Sequence, residues 1–172
     1  MIRTVALSDA PKIVDIYNYY ILNSTATFEI EALDTVAMEE RIKLHNNILP
    51  WLVCLEKNEL VGYAYAKPWK ARAAYKHSVE VSVYIRNGYQ GQGIGKALYE
   101  KLFEILKKAG IHAIMGGIAL PNEASIILHE KFGFEKVAHF KAVGFKFGGW
   151  RDVGYWQLLL DQGLGEGVIG SK

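Results

Sequence analysis

The sequence predicts an α/β fold: a mixed, mostly antiparallel sheet flanked by helices, in a single domain over residues 1–162. Three observations carry this prediction. Segments with apolar residues at alternate positions are interleaved with segments at helical spacing, in the order β-α-α-β-β-β-α-β-α-β-β. Short turn signals at Lys57-Asn58-Glu59 and Gly148-Gly149 join strands directly, which favours antiparallel neighbours. Parallel pairing is then confined to strands that flank helical crossovers.

Ile2 to Leu7 reads as the first strand. Ser8 suits an N-cap, and Asp9, Ala10 and Pro11 suit a first helical turn. Ile13, Ile16, Tyr17 and Tyr20 continue that helix to about Asn23, and the loop from Asn23 to Thr27 leads to Phe28-Glu29. A second helix runs from about Asp34 to Asn46, with Met38, Ile42 and the Leu44-His45 stretch available to the core. Trp51 to Glu56 and Leu60 to Trp69 form a hairpin. In the strand Ser78 to Ile85, Val79, Val81, Val83 and Ile85 occupy one face, and Glu80, Ser82 and Tyr84 the other. The helix from Gln92 to Ala109 carries Ile94, Leu98, Leu102 and Ile105 on one stripe and stops at Gly110. Ala113 to Leu120 is a strand ended by Pro121. Asn122 then caps a helix to about Phe132, stopped by Gly133. Glu135 to Phe147 and Gly154 to Leu160 are the last strands, and residues 163–172 read as a flexible Gly-rich tail.

Composition excludes several function classes. An apolar fraction of 51% in 172 residues argues against disorder and allows a core that needs no disulfide or metal staple. The net charge of +2 comes from 20 basic and 18 acidic residues interspersed along the chain, unlike the concentrated stripe of a nucleic-acid binder. Lys67, Lys70, Arg72 and Lys76 make a short basic segment, either a wall for an anion or ordinary solvated charge. No stretch has the length of a membrane span. The lone Cys54, in an apolar strand, reads as a core residue with no internal disulfide partner, which fits the cytoplasm.

The segment from Arg86 to Leu98 carries the chemistry. Gly91, Gly93 and Gly95 stand at alternate positions between a strand and a helix N-terminus, a setting that gathers backbone N–H groups and the positive end of the helix dipole around a phosphate. A Walker A loop fails, because Gln90 stands five before Gly95 and Ala97 replaces the hydroxyl. A dinucleotide fingerprint fails too, because Lys96 or Leu98 falls at its last glycine. The pattern Gln90-x-x-Gly93-x-Gly95 fits instead, and it resembles the acetyl-CoA pyrophosphate loop of the GCN5-related N-acetyltransferases (GNAT). The alternative for this loop is a tight turn.

A nearer resemblance extends over residues 2–160. Thr27-Phe28-Glu29, Pro68-Trp69-Lys70-Ala71-Arg72-x-Ala74-Tyr75, Val79-Glu80-x-Ser82-Val83-Tyr84, Leu120-Pro121-Asn122, Leu128-His129-Glu130 and the block from Gly144 to Gln157 are similar to the phosphinothricin and methionine sulfoximine acetyltransferases. The resemblance implies the GNAT fold, acetyl-CoA as cosubstrate and no metal. It also implies direct attack on the thioester by the α-amine of a small amino acid such as phosphinothricin, methionine sulfoximine or methionine sulfone. It assigns Ser82, Val83, Tyr84 and Ile85 to the pantetheine arm. Gln90, Gly91, Gln92, Gly93, Ile94, Gly95 and Lys96 fall to the pyrophosphate, with Asn122 and Ser125 beside them. Asn122 can cap its helix, touch pantetheine or do both, and Ser125 can equally be a small packing residue. No Cys-His or Ser-His nucleophile signature competes with direct transfer.

On the acceptor side, Glu80 in a valine-rich strand is the candidate base, because an ammonium must lose a proton before it attacks. The alternative is a solvent-facing glutamate. Arg72 offers a planar fork to the substrate's carboxylate or to its tetrahedral group. Tyr75, Phe28 and Glu29 are expected beside it, though Phe28 can equally plug the core. His129 stands where wider relatives carry a tyrosine. It is a candidate to protonate the departing thiolate or to assist proton removal, or else a packed histidine. His45, His77, His112 and His139 are scattered, with no metal-ligand spacing. Lys146 and Trp150 are expected at the pocket rim, and related enzymes imply a homodimer formed through the C-terminal strands. The competing functions are acetylation of a protein N-terminus, polyamine or other amine, and a non-catalytic CoA-binding module.

Overall fold

A computed structural model describes residues 1–46 and 48–160; the tail at 163–172 lies outside the described residues. Strands β1 (Ile2–Thr4), β2 (Trp51–Glu56), β3 (Glu59–Pro68), β4 (Ser78–Ile85), β5 (Ala113–Ala119), β6 (Glu135–Lys146) and β7 (Gly149–Leu159) form one sheet in the order β1-β2-β3-β4-β5-β7-β6. Helices α1 (Ala10–Asn23), α2 (Thr35–Asn46), α3 (Ile94–Lys108) and α4 (Glu123–Lys131) flank it. Every strand pair is antiparallel except β4 with β5, which the α3 crossover joins.

The alternation along β2 distributes the core to both faces. Trp51 and Val53 join Ile13, Ile21, Met38 and Ile42 under α1 and α2. Leu52 and Cys54 join Leu98, Leu102 and Leu106 under α3. Each leucine of that α3 stripe is fully buried, and such burial contributes about 2 kcal/mol per side chain. On β4, Val79 and Val81 face α3, while Tyr84 packs on Tyr17 of α1 with ring centroids 5.1 Å apart.

Four expectations are corrected. Strand β1 stops at Thr4, and Leu7–Asp9 forms a 3-10 turn in place of a Ser8 cap. The Asp9 carboxylate causes this: it accepts the Ala6 N–H at 2.8 Å and pairs with both Arg3 terminal nitrogens at 2.7 and 2.8 Å. Helix α3 begins at Ile94, not Gln92, because Gly91 and Gly93 adopt φ of 76° and 81°, outside the helical region. The last hairpin turns at Phe147-Gly148, both at positive φ, so Gly149 to Val153 pair with β6 instead of forming a loop. Leu44 points outward, while Met38 and Ile42 are buried as expected.

Candidate active site

Strands β4 and β5 pair only from Ser78 to Glu80 against Ala113 to Met115. Beyond that point they part, and a cleft of about 710 Å³ opens between Val81–Ile85 and Gly117–Ala119. The start of α3, the first turns of α4 and the end of α1 complete its walls. The unpaired edge of β4 carries Ser82, Val83, Tyr84 and Ile85, all of which line the cleft. The Ile85 carbonyl is already engaged, accepting the Tyr20 hydroxyl at 2.6 Å.

The glycine loop forms one end of the cleft. Gln90, Gly91, Gly93, Gly95 and Lys96 line it. Gln90 shapes the loop by accepting the Gly88 N–H at 2.7 Å, and Gln92 bonds back to the Gly88 carbonyl at 3.3 Å. The Ile94 side chain is buried in the core, so only its backbone is available to a ligand. Ala97 N–H donates to the Gly93 carbonyl at 3.0 Å, which leaves the N–H groups of the preceding turn without intrahelical acceptors. At Gly91 and Gly93 an added Cβ meets nothing within 4 Å. Open space, free donors and the Lys96 charge fit a pyrophosphate.

Asn122 has both roles open to it: its Oδ1 accepts the Ser125 N–H at 3.2 Å, and it also lines the cleft. One turn further on, His129 is buried. Its Nδ1 lies 2.7 Å from the Ser125 carbonyl, which only accepts, so Nδ1 carries the proton. Its Nε2 therefore accepts from the Tyr99 hydroxyl, 3.3 Å away. Burial pulls the imidazole below its ordinary pKa, against the opposing bond to Ser125. This His129 is a neutral, doubly bonded ring. It packs this close to β5 only because Gly116 lacks a side chain: a Cβ there would stand 2.5 Å from Nε2.

Glu80 sits at the last paired position of β4, opposite Met115 of β5 and Lys67 of β3. The Lys67 ammonium is 3.5 Å from its carboxylate, which is one-fifth exposed (19%). Arg72 and Tyr75 lie on the exposed β3–β4 loop, in a short 3-10 turn at the Glu80 end of these strands, and neither lines the cleft. Phe28 is exposed and lies over Gly144 of β6, where a Cβ would collide with its ring. Glu29 grips Arg41 at 2.7 and 3.0 Å and accepts the Tyr17 hydroxyl at 2.9 Å. Burial would raise the Glu29 carboxyl, but the bonds from Arg41 and Tyr17 bring it below its usual value.

The structure brings the β4 edge, the glycine loop, Asn122, Ser125 and His129 into one cleft, with Glu80 at its start. Phe28, Glu29, Arg72, Tyr75, Gln92, Ile94 and Glu80 itself come from outside that lining, Glu80 being the neighbour of Val81, which does line it. Lys146, expected at a rim, is buried. Its ammonium donates to the carbonyls of Ser24 and Thr27 at 2.7 and 2.8 Å and fastens the first loop to β6. Tyr99 was not legible as a site residue, because it falls within the apolar pattern of α3 and reads there as core. In the sequence Tyr20 shows only as a member of α1.

The comparisons agree with this geometry. Residues 2–154 match the family model described as the acetyltransferase (GNAT) domain. The phosphinothricin N-acetyltransferase of Streptomyces viridochromogenes is 37% identical over 156 residues, covering 91% of this chain and 85% of that one. The L-methionine sulfoximine/L-methionine sulfone acetyltransferase of Salmonella typhimurium is 35% identical over 164 residues, covering 94% and 95%. The crystal structure of a GNAT superfamily phosphinothricin acetyltransferase from Sinorhizobium meliloti in complex with acetyl-CoA superposes with a TM-score of 0.92 at 32% identity, over 99% of this chain and 94% of that one. A splayed β4–β5 pair, a glycine loop at its mouth and a sequence match over nearly the whole chain have one common explanation: the protein belongs to the GNAT acetyltransferases.

Proposed function

We propose that the chain moves the acetyl group of acetyl-CoA to the α-amine of a small amino acid. The expected acceptors are phosphinothricin, methionine sulfoximine or methionine sulfone, attacking directly in a ternary complex. The observation that supports this best is Glu80, held beside Lys67 at the point where β4 and β5 part and the cleft begins. Bound acetyl-CoA supplies an activated thioester. The loop from Gln90 to Lys96 holds its pyrophosphate by backbone N–H groups, and the β4 edge, Asn122 and Ser125 hold the pantetheine arm. Glu80 takes the proton from the acceptor ammonium, directly or through water. Arg72 binds the acceptor's anionic group, with Tyr75, Phe28 and Glu29 around it. His129 has no proton on Nε2 to give, so it assists proton removal from the amine, and the departing sulfur takes the second proton that the attacking nitrogen sheds.

Residues 1–162 constitute the catalytic domain in this reading, and the enzyme acts as a cytoplasmic homodimer. The dimer reading draws on the exposed apolar side chains of Val137, Phe140, Val143, Phe145, Phe147 and Trp150 along the β6–β7 hairpin, with β6 at the sheet edge. Light scattering tests it, and a monomer at assay concentration counts against it. The function is tested by following CoA thiol release with the named acceptors, with a peptide amine and a polyamine for comparison. Acetylation of the amino acids is expected. Release at the background rate with all of them, despite acetyl-CoA binding, removes the reading.

A further inference from the structure

A second cavity, of about 210 Å³, lies on the α1–α2 side of the sheet. Trp51, Tyr63 and Tyr65 line it from β2 and β3, Tyr17 and Arg41 from the helices, and Lys67 from the end of β3. Its depth follows from exposure. The side chains of Arg41 and Lys67 are 38% and 42% exposed, whereas Trp51 and Tyr63 are buried, so the cations stand at the mouth and the aromatics form the floor. Trp51 and Tyr65 stack with centroids 4.2 Å apart. The indole Nε1 of Trp51 is buried with no hydrogen-bond partner. A buried donor without an acceptor costs roughly 1–3 kcal/mol, and a cavity against the ring is where an acceptor can enter.

The indole and the two cations of this cavity have one sign of chemistry: they only donate, while the Tyr17 hydroxyl is already bonded to Thr27 and Glu29. The carboxylates nearby are already engaged: Glu29 holds Arg41 from outside the lining, and Glu80 meets Lys67. The fitting occupant is a short apolar stem ending in acceptor oxygens. Lys67 ties the cavity to the reaction, because it lines the wall and touches Glu80. An amine presented to Glu80 therefore has its side chain within reach of the mouth.

We infer that this cavity receives the side chain of the acceptor amino acid, with the Trp51 indole N–H and Arg41 donating to its terminal oxygens. The α-carboxylate is left to Arg72 on the β3–β4 loop. The inference rests on the amino-acid acetyltransferase reading and adds the residues that select the acceptor.

The test compares methionine sulfone with methionine, which has the same stem without the oxygens. In Trp51→Phe the ring is kept and the donor removed. Its kcat/KM preference for the sulfone should fall roughly tenfold, with the acetyl-CoA KM unchanged. Arg41→Gln should raise the KM for the sulfone several-fold more than that for methionine. In the unmodified protein, adding methionine sulfone should move one indole ¹H–¹⁵N resonance, the one absent from Trp51→Phe. A preference retained in both variants, or an indole resonance that stays in place at saturation, overturns the inference. If neither amino acid is acetylated, the function reading fails while the indole shift still decides the cavity.

Discussion

Gly88, Gly91 and Gly93 form a matched set for testing the glycine loop. All three have positive φ, at 88°, 76° and 81°, and an added Cβ at each meets nothing within 4 Å. Alanine at any of them thus carries the same conformational cost, about 1 kcal/mol, and no clash within the protein. Only Gly91 and Gly93 line the cleft. A methyl at Gly93 stands where a pyrophosphate would approach the α3 N-terminus. Displacing one hydrogen bond to a charged group loses about 1.5–3 kcal/mol, which is roughly a tenfold to hundredfold rise in Kd. The assay is calorimetric titration with acetyl-CoA beside thermal melts of the three variants. The melts should fall together, and affinity should fall for Gly91→Ala and Gly93→Ala but not for Gly88→Ala. Equal affinity loss in Gly88→Ala and Gly93→Ala would refute the reasoning, because strain alone would then explain both.

Glu80→Gln should lower kcat at neutral pH by roughly a hundredfold to ten-thousandfold and spare acetyl-CoA affinity. The loss should shrink as pH rises and more amine arrives neutral, and a wild-type rate at neutral pH ends the assignment. For His129, burial lowers the folded imidazole pKa below that of the unfolded chain. The resulting stability is fully present above pH ~6.5 and declines as pH falls toward the folded value. His129→Gln should therefore narrow its stability gap to wild type between pH 7 and 5, and a constant gap in urea titrations would mean that the ring is not held neutral. Lys146→Met removes the ammonium bonded to the Ser24 and Thr27 carbonyls and should cost about 2 kcal/mol in denaturant unfolding, with the end of α1 exchanging amide hydrogens faster. Unchanged exchange at Ser24 to Thr27 would show that the clamp is not what holds the loop.

Most of the fold was legible because periodicity reports burial directly. The alternation in Ser78–Ile85 and the stripe Ile94, Leu98, Leu102 and Ile105 are repeated exposures to one face: Val79, Val81, Ile94, Leu98 and Leu102 are buried there, while Val83, Ile85 and Ile105 are partly buried and Leu106 takes the fully buried place beside Ile105. Boundaries failed where a non-periodic contact decides. Nothing in the order of Arg3, Ser8 and Asp9 announces that the Asp9 carboxylate turns back to Arg3 and Ala6, ending β1 early. The Gly148-Gly149 pair draws attention away from Phe147, which takes positive φ because a two-residue turn must match the twist of the long β6–β7 ladder.

The two halves of the site differ in legibility for the same reason. The cofactor half is built from short local segments: a strand edge, a glycine loop and two helix starts. Their chemistry is backbone chemistry, so a motif reports it. The acceptor half joins residues far apart in the chain. Tyr17, Arg41 and Trp51 read as ordinary helix, strand or surface residues, Lys67 stands out only as part of a short basic segment, and only the sheet register sets it opposite Glu80. Trp51 illustrates the limit: its ring satisfies every apolar expectation for β2, and its unpartnered N–H is visible only once the neighbours are in place. Acceptor choice can therefore shift through residues that leave the motifs untouched. Two chains with the same glycine loop and the same Glu80, but different residues at Arg41 and Trp51, should bind acetyl-CoA alike and differ in the amine they accept.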